Sequence, residues 1–230
     1  MAKTSKNILG DQSGKIGKIV GRVVNGIQLY SAYNSHTSNP RTPKQIAARA
    51  RFTAVMRLSK AMIGAANIGF RLTASGVPLT SPSNIFTKRN NKFMQYDPDT
   101  KVTTPDYEHL ILSEGHTPYV EFSNVSFSDS QSVKVSISSP LSSDFGAYDD
   151  DTVYIVVYCP DRDECTLGTA KRSDTLIITT VPPNWVGENV YVWGFVKTSV
   201  DEPLLIESIG VRLRPGECSP TSYIATGTIS

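Results

Sequence analysis

The side chains able to do chemistry are few in this 230-residue chain. There are three histidines (His36, His109, His116), three cysteines (Cys159, Cys165, Cys218) and two carboxylate runs, YDPDT at 96–100 and YDDDT at 148–152. Nucleophilic catalysis needs a Ser or Cys set beside a base, and no G-x-S-x-G, H-E-x-x-H or C-x-x-C occurs. His36 falls in a polar loop, and His109 and His116 lie within and just after EHLILSEG, a further presumed strand, so each suits a surface or capping role. An odd cysteine count argues against a disulfide framework, although Cys159 and Cys165 flank PDRDE and could face each other across a hairpin loop. Zinc needs more ligands at regular spacing. The carboxylate runs lack the D-x-[DN]-x-[DN]-G pattern with a distal Glu, and turn chemistry accounts for them. GDQSGKIG at 10–17 has three residues between its first glycines rather than four, and Ile16 follows Lys15 where a Mg²⁺-binding Ser or Thr is required. The expectation is a protein with no catalytic residues, no metal and no cofactor.

What remains is charge. Residues 1–100 carry 15 Lys/Arg against 3 Asp/Glu, a net of +12, while residues 101–230 carry 8 against 18, a net of −10. The overall +2 conceals this contrast, which points to partners rather than to fold. The basic half peaks in SNPRTPKQIAARARF (38–52), where Arg41, Lys44, Arg49 and Arg51 stand with no acid among them. Such clustering suits counterion release from a phosphate backbone, yet aromatic stacking residues are sparse and no recognition-helix motif is evident. A membrane surface is a poor match, because the apolar face of this segment is mostly alanine. No run is long enough to span a bilayer, and Met1–Lys6 has charge but no apolar stretch for a secretory signal, so an unprocessed protein made in the bacterial cytoplasm is expected.

The elements that position these charges begin with a hairpin. Asn25-Gly26 suits a two-residue turn between β-branched runs, which predicts strands at about 15–24 and 27–33. Thr42 as N-cap, Pro43 at the first helical position and Gln45 three residues on predict a helix from Pro43 to about Ile63, with Arg49, Arg51, Arg57 and Lys60 on its polar surface. Ser81-Pro82 predicts a second helix over SNIFTKRNNKFMQY, ending before Asp97-Pro98. From about residue 105, short alternating runs (YVEFSNVSFS, SVKVSISS, TVYIVVYC, DTLIITTV, NVYVWGFVKTS, SYIATGTIS) predict an antiparallel sandwich of Ig-like architecture, with Trp193 and Tyr154 as core aromatics. The fold class is therefore α+β, mainly β. A basic hairpin–helix region (1–100) precedes an acidic sandwich (101–230), with 99–106 read as the linker.

The succession SGKIGKIVGRVVNG (13–26) and NPRTPKQIAARARF (39–52) resembles a family of unknown function found in bacterial genomes and bacteriophages. Ser13-Gly14-Lys15, Gly17, Gly21, Gly26, Asn39-Pro40-Arg41-Thr42-Pro43, Gln45, Arg49 and Phe52 carry the resemblance. Asn25 departs from it, standing where many members have a bulky aromatic. The resemblance implies a component of a phage-like particle or tail.

Two readings follow. The first is a self-assembling structural subunit, located in a virion or particle, whose partners are itself (as ring or filament) and other particle proteins. Ile16, Val20, Val23, Asn25, Gly26 and Leu29 would make the hairpin contact by strand addition. Arg41, Arg49, Arg51 and Arg57 would face either Asp149, Asp150 and Asp151 or Asp161, Asp163 and Glu164 of a neighbour, a head-to-tail contact. The second is a nucleic-acid-binding accessory protein using the basic half; a glycan- or receptor-binding module is weaker still.

Overall fold

A computed structural model of the chain describes residues 2–4, 12–24, 26–35, 39–75, 80–129 and 131–230. Asn25 and His36 lie outside the described residues, as does the Gly10-Asp11 start of the glycine-rich run.

The body has three layers. Its middle is a four-stranded antiparallel sheet in the order β10-β9-β12-β15, formed by β9 (Thr152–Cys159), β10 (Glu164–Lys171), β12 (Asn189–Lys197) and β15 (Ser222–Thr228). A three-stranded sheet, β11 (Leu176–Thr180), β8 (Ser132–Ser138) and β7 (Glu121–Asp129), covers one face. Val133, Val135, Ile137, Val153, Ile155, Val157, Val190, Val192 and Trp185 fill the space between them. Helices α1 (Pro43–Ala61), α2 (Ile63–Gly69), α3 (Arg71–Ser75) and α4 (Pro82–Asn90) precede the sandwich in the chain. Val55, Leu58, Met62, Phe70 and Phe86 from this helical stretch pack on the other face of the middle sheet against Val156, Tyr158, Trp193 and Phe195. Strand β9 is thus buried on both sides, which is why TVYIVVYC is almost continuously apolar rather than cleanly alternating. The basic and acidic halves of the sequence share one of the two cores. Trp193 is a core residue, as expected, but it faces the helices; the tryptophan inside the sandwich is Trp185, whose indole N–H donates to Glu164 Oε2 at 3.0 Å.

The α+β, mainly β class and the Ig-like sandwich both hold. The edges of the two sheets approach each other closely. A Cβ at Gly168 of β10 would overlap the Thr179 side chain of β11, and one at Gly227 of β15 would overlap the Phe127 ring of β7. At those margins Thr166 Oγ1 donates to Thr180 O, 3.4 Å, and the Ser230 N–H donates to Phe127 O, 3.2 Å.

The N-terminal strands form a separate sheet. β1 (Ala2–Thr4), β2 (Gly14–Ile16), β3 (Ile19–Val24) and β4 (Ile27–Ala32) are ordered β1-β4-β3-β2. Val24 pairs with Ile27, and Gly26, just before it, has φ +74°. A second tight turn at Gly17-Lys18 pairs Ile16 with Ile19, so the expected single strand at 15–24 is two strands and the hairpin is a meander.

Three local expectations fail. The second helix stops at Asn90, because the Asn90 amide donates to Phe86 O and Ile111 O and accepts from the Ile111 N–H, fixing the chain where helix would continue. Met94–Tyr96 is instead strand β5, paired with β6 (Thr103–Pro105). Residues 99–106, read as a linker, therefore supply the turn and second strand of a hairpin. EHLILSEG is not a strand: Leu110 and Leu112 point into the helix-side core while Thr221 Oγ1 accepts from the Leu112 and Ser113 N–H groups. Strand β10 was hidden by its mixed composition, ECTLGTAK, and appears as the hairpin partner of β9.

Candidate interaction site

Helix α1 starts as its sequence dictates. Thr42 is extended (φ −66°, ψ 152°), its N–H donates to Gln45 Oε1 at 3.3 Å, and Pro43 opens the first turn. Val55 and Leu58 bury one side of the helix, and Met62, at its end, continues that face into the core. The opposite side meets the β5–β6 hairpin across a trough. Two adjoining cavities share Lys101: one of about 550 Å³ with Arg41, Ile46, Arg49 and Tyr96 among its walls, and one of about 430 Å³ with Ala54, Arg57, Tyr107, Tyr158 and Asp163.

At the end beside Tyr158, Arg57 Nε donates to Asp163 Oδ2 at 2.6 Å and the Tyr158 hydroxyl donates to Asp163 Oδ1 at 2.9 Å. Burial, then the hydrogen bond to Asp163, pushes the Tyr158 phenol far above its ordinary pKa. Burial, helped by Tyr191, raises Tyr107 to about 12. Both phenols therefore stay neutral. The Asp163 bond and charge raise the Arg57 pKa further. Arg57 and Asp163, expected to meet across copies, meet within one chain.

The remaining basic residues differ in availability. Arg41 is exposed and lines the open end of the trough. Arg49 lines it too and donates to Asn39 Oδ1. Arg51 is half-buried, with its Nε enclosed and without a hydrogen-bond partner. Sequence reasoning missed Tyr96 and Lys101 because Tyr96 read as the end of the second helix and Lys101 fell in the presumed linker. Lys101 has φ +59°, a left-handed conformation that local sequence does not announce for lysine.

On the acidic side, Asp151 is no surface group. It is fully buried and paired with Arg172, Nε to Oδ2 at 3.0 Å, and its Oδ1 accepts from the Ser199 N–H at 2.8 Å. Arg172 completes the pair by donating to the Tyr119 and Pro118 carbonyls. Burial lowers the Arg172 pKa against the pull of Asp151. Asp150 pairs with Lys171 at 2.6 Å, whose hydrogen bond and charge depress its pKa. Glu164 serves Trp185. Asp149 and Asp161 make no ion pair among the described residues.

All three cysteines are free. Cys159 pairs across the ladder with Glu164, so Cys165 points to the opposite face: Cys159 belongs to the sandwich core and Cys165 to the helix side. Burial raises the Cys165 and Cys218 thiols to about 12. Among the described residues no three His, Cys, Asp or Glu side chains gather as a metal ion requires.

In the N-terminal sheet the register puts Ile16, Ile19 and Val23 on one face, and they are 54%, 49% and 37% exposed. Leu29 is buried, Val20 half-buried, and Gly26 exposed at the turn. Gln28 is buried beneath Gln12: its amide donates to Gln12 O at 2.7 Å and accepts from the Gln12 N–H at 2.8 Å. Among the described residues, neither hydrophobic core includes a member of this sheet.

A family model described as "Family of unknown function (DUF6266)" matches residues 11–207. No curated protein and no solved structure matches the chain.

Proposed function

The chain belongs to that family of unknown function, and from the geometry of its N-terminal sheet we propose that it is a non-enzymatic structural subunit that assembles with copies of itself, as in a phage-like virion or tail. One observation carries this reading: a sheet outside both cores that presents Ile16, Ile19 and Val23 on one face and ends on the short strand β2. An unpaired edge strand is a template for another chain's strand, and small isolated sheets gain stability when they join a larger one. Burying the exposed remainder of the three side chains contributes about 3 kcal/mol per arm, roughly two decades of affinity.

Sedimentation velocity and negative-stain microscopy on the full chain and on an Ile16→Ser/Ile19→Ser variant test the reading. Rings, tubes, filaments or discrete oligomers are expected for the parent, and monomers with an unchanged unfolding midpoint for the variant. A parent that remains monomeric, or a variant that assembles as well as the parent, overturns it.

The basic trough favours a second reading, nucleic-acid binding. Affinity for a labelled oligonucleotide that falls steeply with salt, from a monomeric protein, would establish that reading instead.

A further inference from the structure

The trough has a shape and a charge that the arm does not explain. From Pro43 to Arg57 it follows α1 for about 21 Å at 1.5 Å per residue, which matches roughly six residues of extended chain. Its open end presents Arg41, Arg49 and Lys101 beside Tyr96 and Ile46, and no carboxylate lines that end among the described residues. At the end beside Tyr158 the one lining carboxylate among the described residues, Asp163, is already held by Arg57 and Tyr158. Lys101 keeps its side chain there in a backbone conformation that glycine would adopt at no steric cost.

A matching segment exists on the same chain. Residues 200–205 read VDEPLL. Asp201 and Glu202 are exposed and, like Asp149 and Asp161, make no ion pair among the described residues, whereas Asp150, Asp151, Asp163, Glu114, Glu188 and Glu217 are each paired with a cation. Asp201 and Glu202 form a bend that leads into the short strand Leu204–Ile206, which pairs with Val211–Leu213. Leu204 and Leu205, 38% and 57% exposed, supply apolar anchors of the kind that an isoleucine–tyrosine–proline wall accepts. The segment cannot reach its own trough. Asp201 lies beside Thr152 at the start of β9 and the trough lies beside Tyr158 at its end, about 20 Å away along the strand.

Building on the self-assembly reading, we infer that the α1/β5–β6 trough receives the 200–205 segment of a second copy. Donor and acceptor are different surfaces at opposite ends of β9, and joined head to tail they propagate into rings or filaments.

The test uses the full-length Ile16→Ser/Ile19→Ser chain, monomeric on the assembly reading, and a fluorescent synthetic peptide spanning residues 199–206, followed by anisotropy. Binding is expected to weaken at least tenfold when Asp201 and Glu202 of the peptide are replaced by Asn and Gln, and likewise with Arg49→Glu/Lys101→Glu in the protein. Lys101→Gly, which suits the local backbone, should weaken binding several-fold while leaving the unfolding midpoint intact or higher. A parent chain carrying Asp201→Lys/Glu202→Lys should co-assemble with one carrying Arg49→Glu/Lys101→Glu when neither assembles alone. A peptide that fails to bind, or binds regardless of these changes, overturns the inference, as does an oligonucleotide whose binding depends on Arg49 and Lys101 when the peptide's does not. Assembly that persists through the charge changes removes the trough contact and leaves the arm reading standing. Peptide binding by a chain that never assembles removes the arm reading instead.

Discussion

The body and the N-terminal sheet solve the problem of polar and apolar surface in opposite ways. In the body even charge is taken inside and answered there: Arg172 and Asp151 sit in the interior with carbonyl, hydroxyl and backbone N–H partners around them. The sheet at 2–32 hides a glutamine beneath another backbone segment, yet leaves three β-branched side chains half in water. A unit that satisfies its own groups can exist alone, while one that buries the polar and exposes the apolar is organised toward something else. The difference separates residues that keep the fold from residues proposed to recruit a partner, and substitutions can press on it from either side.

The largest effect belongs to the interior pair. Asp151→Ala leaves a guanidinium in the interior without its counter-charge and should cost about 3–5 kcal/mol, read as a lowered denaturant midpoint. A loss below about 1 kcal/mol would mean that the body does not depend on this pair. Next comes the sandwich margin. Gly168→Ala drives a methyl into Thr179 and should cost about 1–3 kcal/mol. A smaller effect is titratable. Glu217 accepts from the His116 and Arg214 N–H groups at 3.2 and 2.9 Å, clasping the loop at 113–117 to the one at 214–219. Burial alone would raise its pKa, but the His116 and Arg214 hydrogen bonds and the Arg214 charge outweigh burial and hold it below the ordinary carboxylate value. A depressed folded pKa means stability that is present above the unfolded value and lost as pH falls through the folded one. Thermal unfolding should therefore show an acid limb that flattens in Glu217→Gln; an unchanged limb would remove the clasp from the account. Last, Ile16→Ser/Ile19→Ser should move the unfolding midpoint by no more than surface changes do, within about 0.5 kcal/mol, and a larger loss would show that the sheet and body share stability after all.

Much of this was legible in the residues. Thr42, Pro43 and Gln45 placed the start of α1 without any tertiary information, and Asn25-Gly26 placed one turn of the N-terminal sheet. TVYIVVYC and NVYVWGFVK announced the two central strands by apolar content alone. Other features had no local sign. Gly17-Lys18 is a weaker turn signal than Asn25-Gly26, so one strand was read for two. Arg57 and Asp163 are separated by 106 positions, and nothing in a basic helix or an acidic turn tells which opposite charge it will meet, or whether the partner is its own chain. Asp151 looked like its neighbours Asp149 and Asp150; only the folded backbone turns it inward. Lys101 was hidden for a related reason, since the trough exists only once the β5–β6 hairpin lies against α1.

The crowding of Gly168 by Thr179 and of Gly227 by Phe127 has a practical consequence. At these two seams the sandwich edges are occupied by each other, which leaves less room there for a strand from another chain. On the proposed strand-addition route, a preparation trimmed of the first thirty-odd residues by a protease should remain dispersed at concentrations where the intact chain assembles.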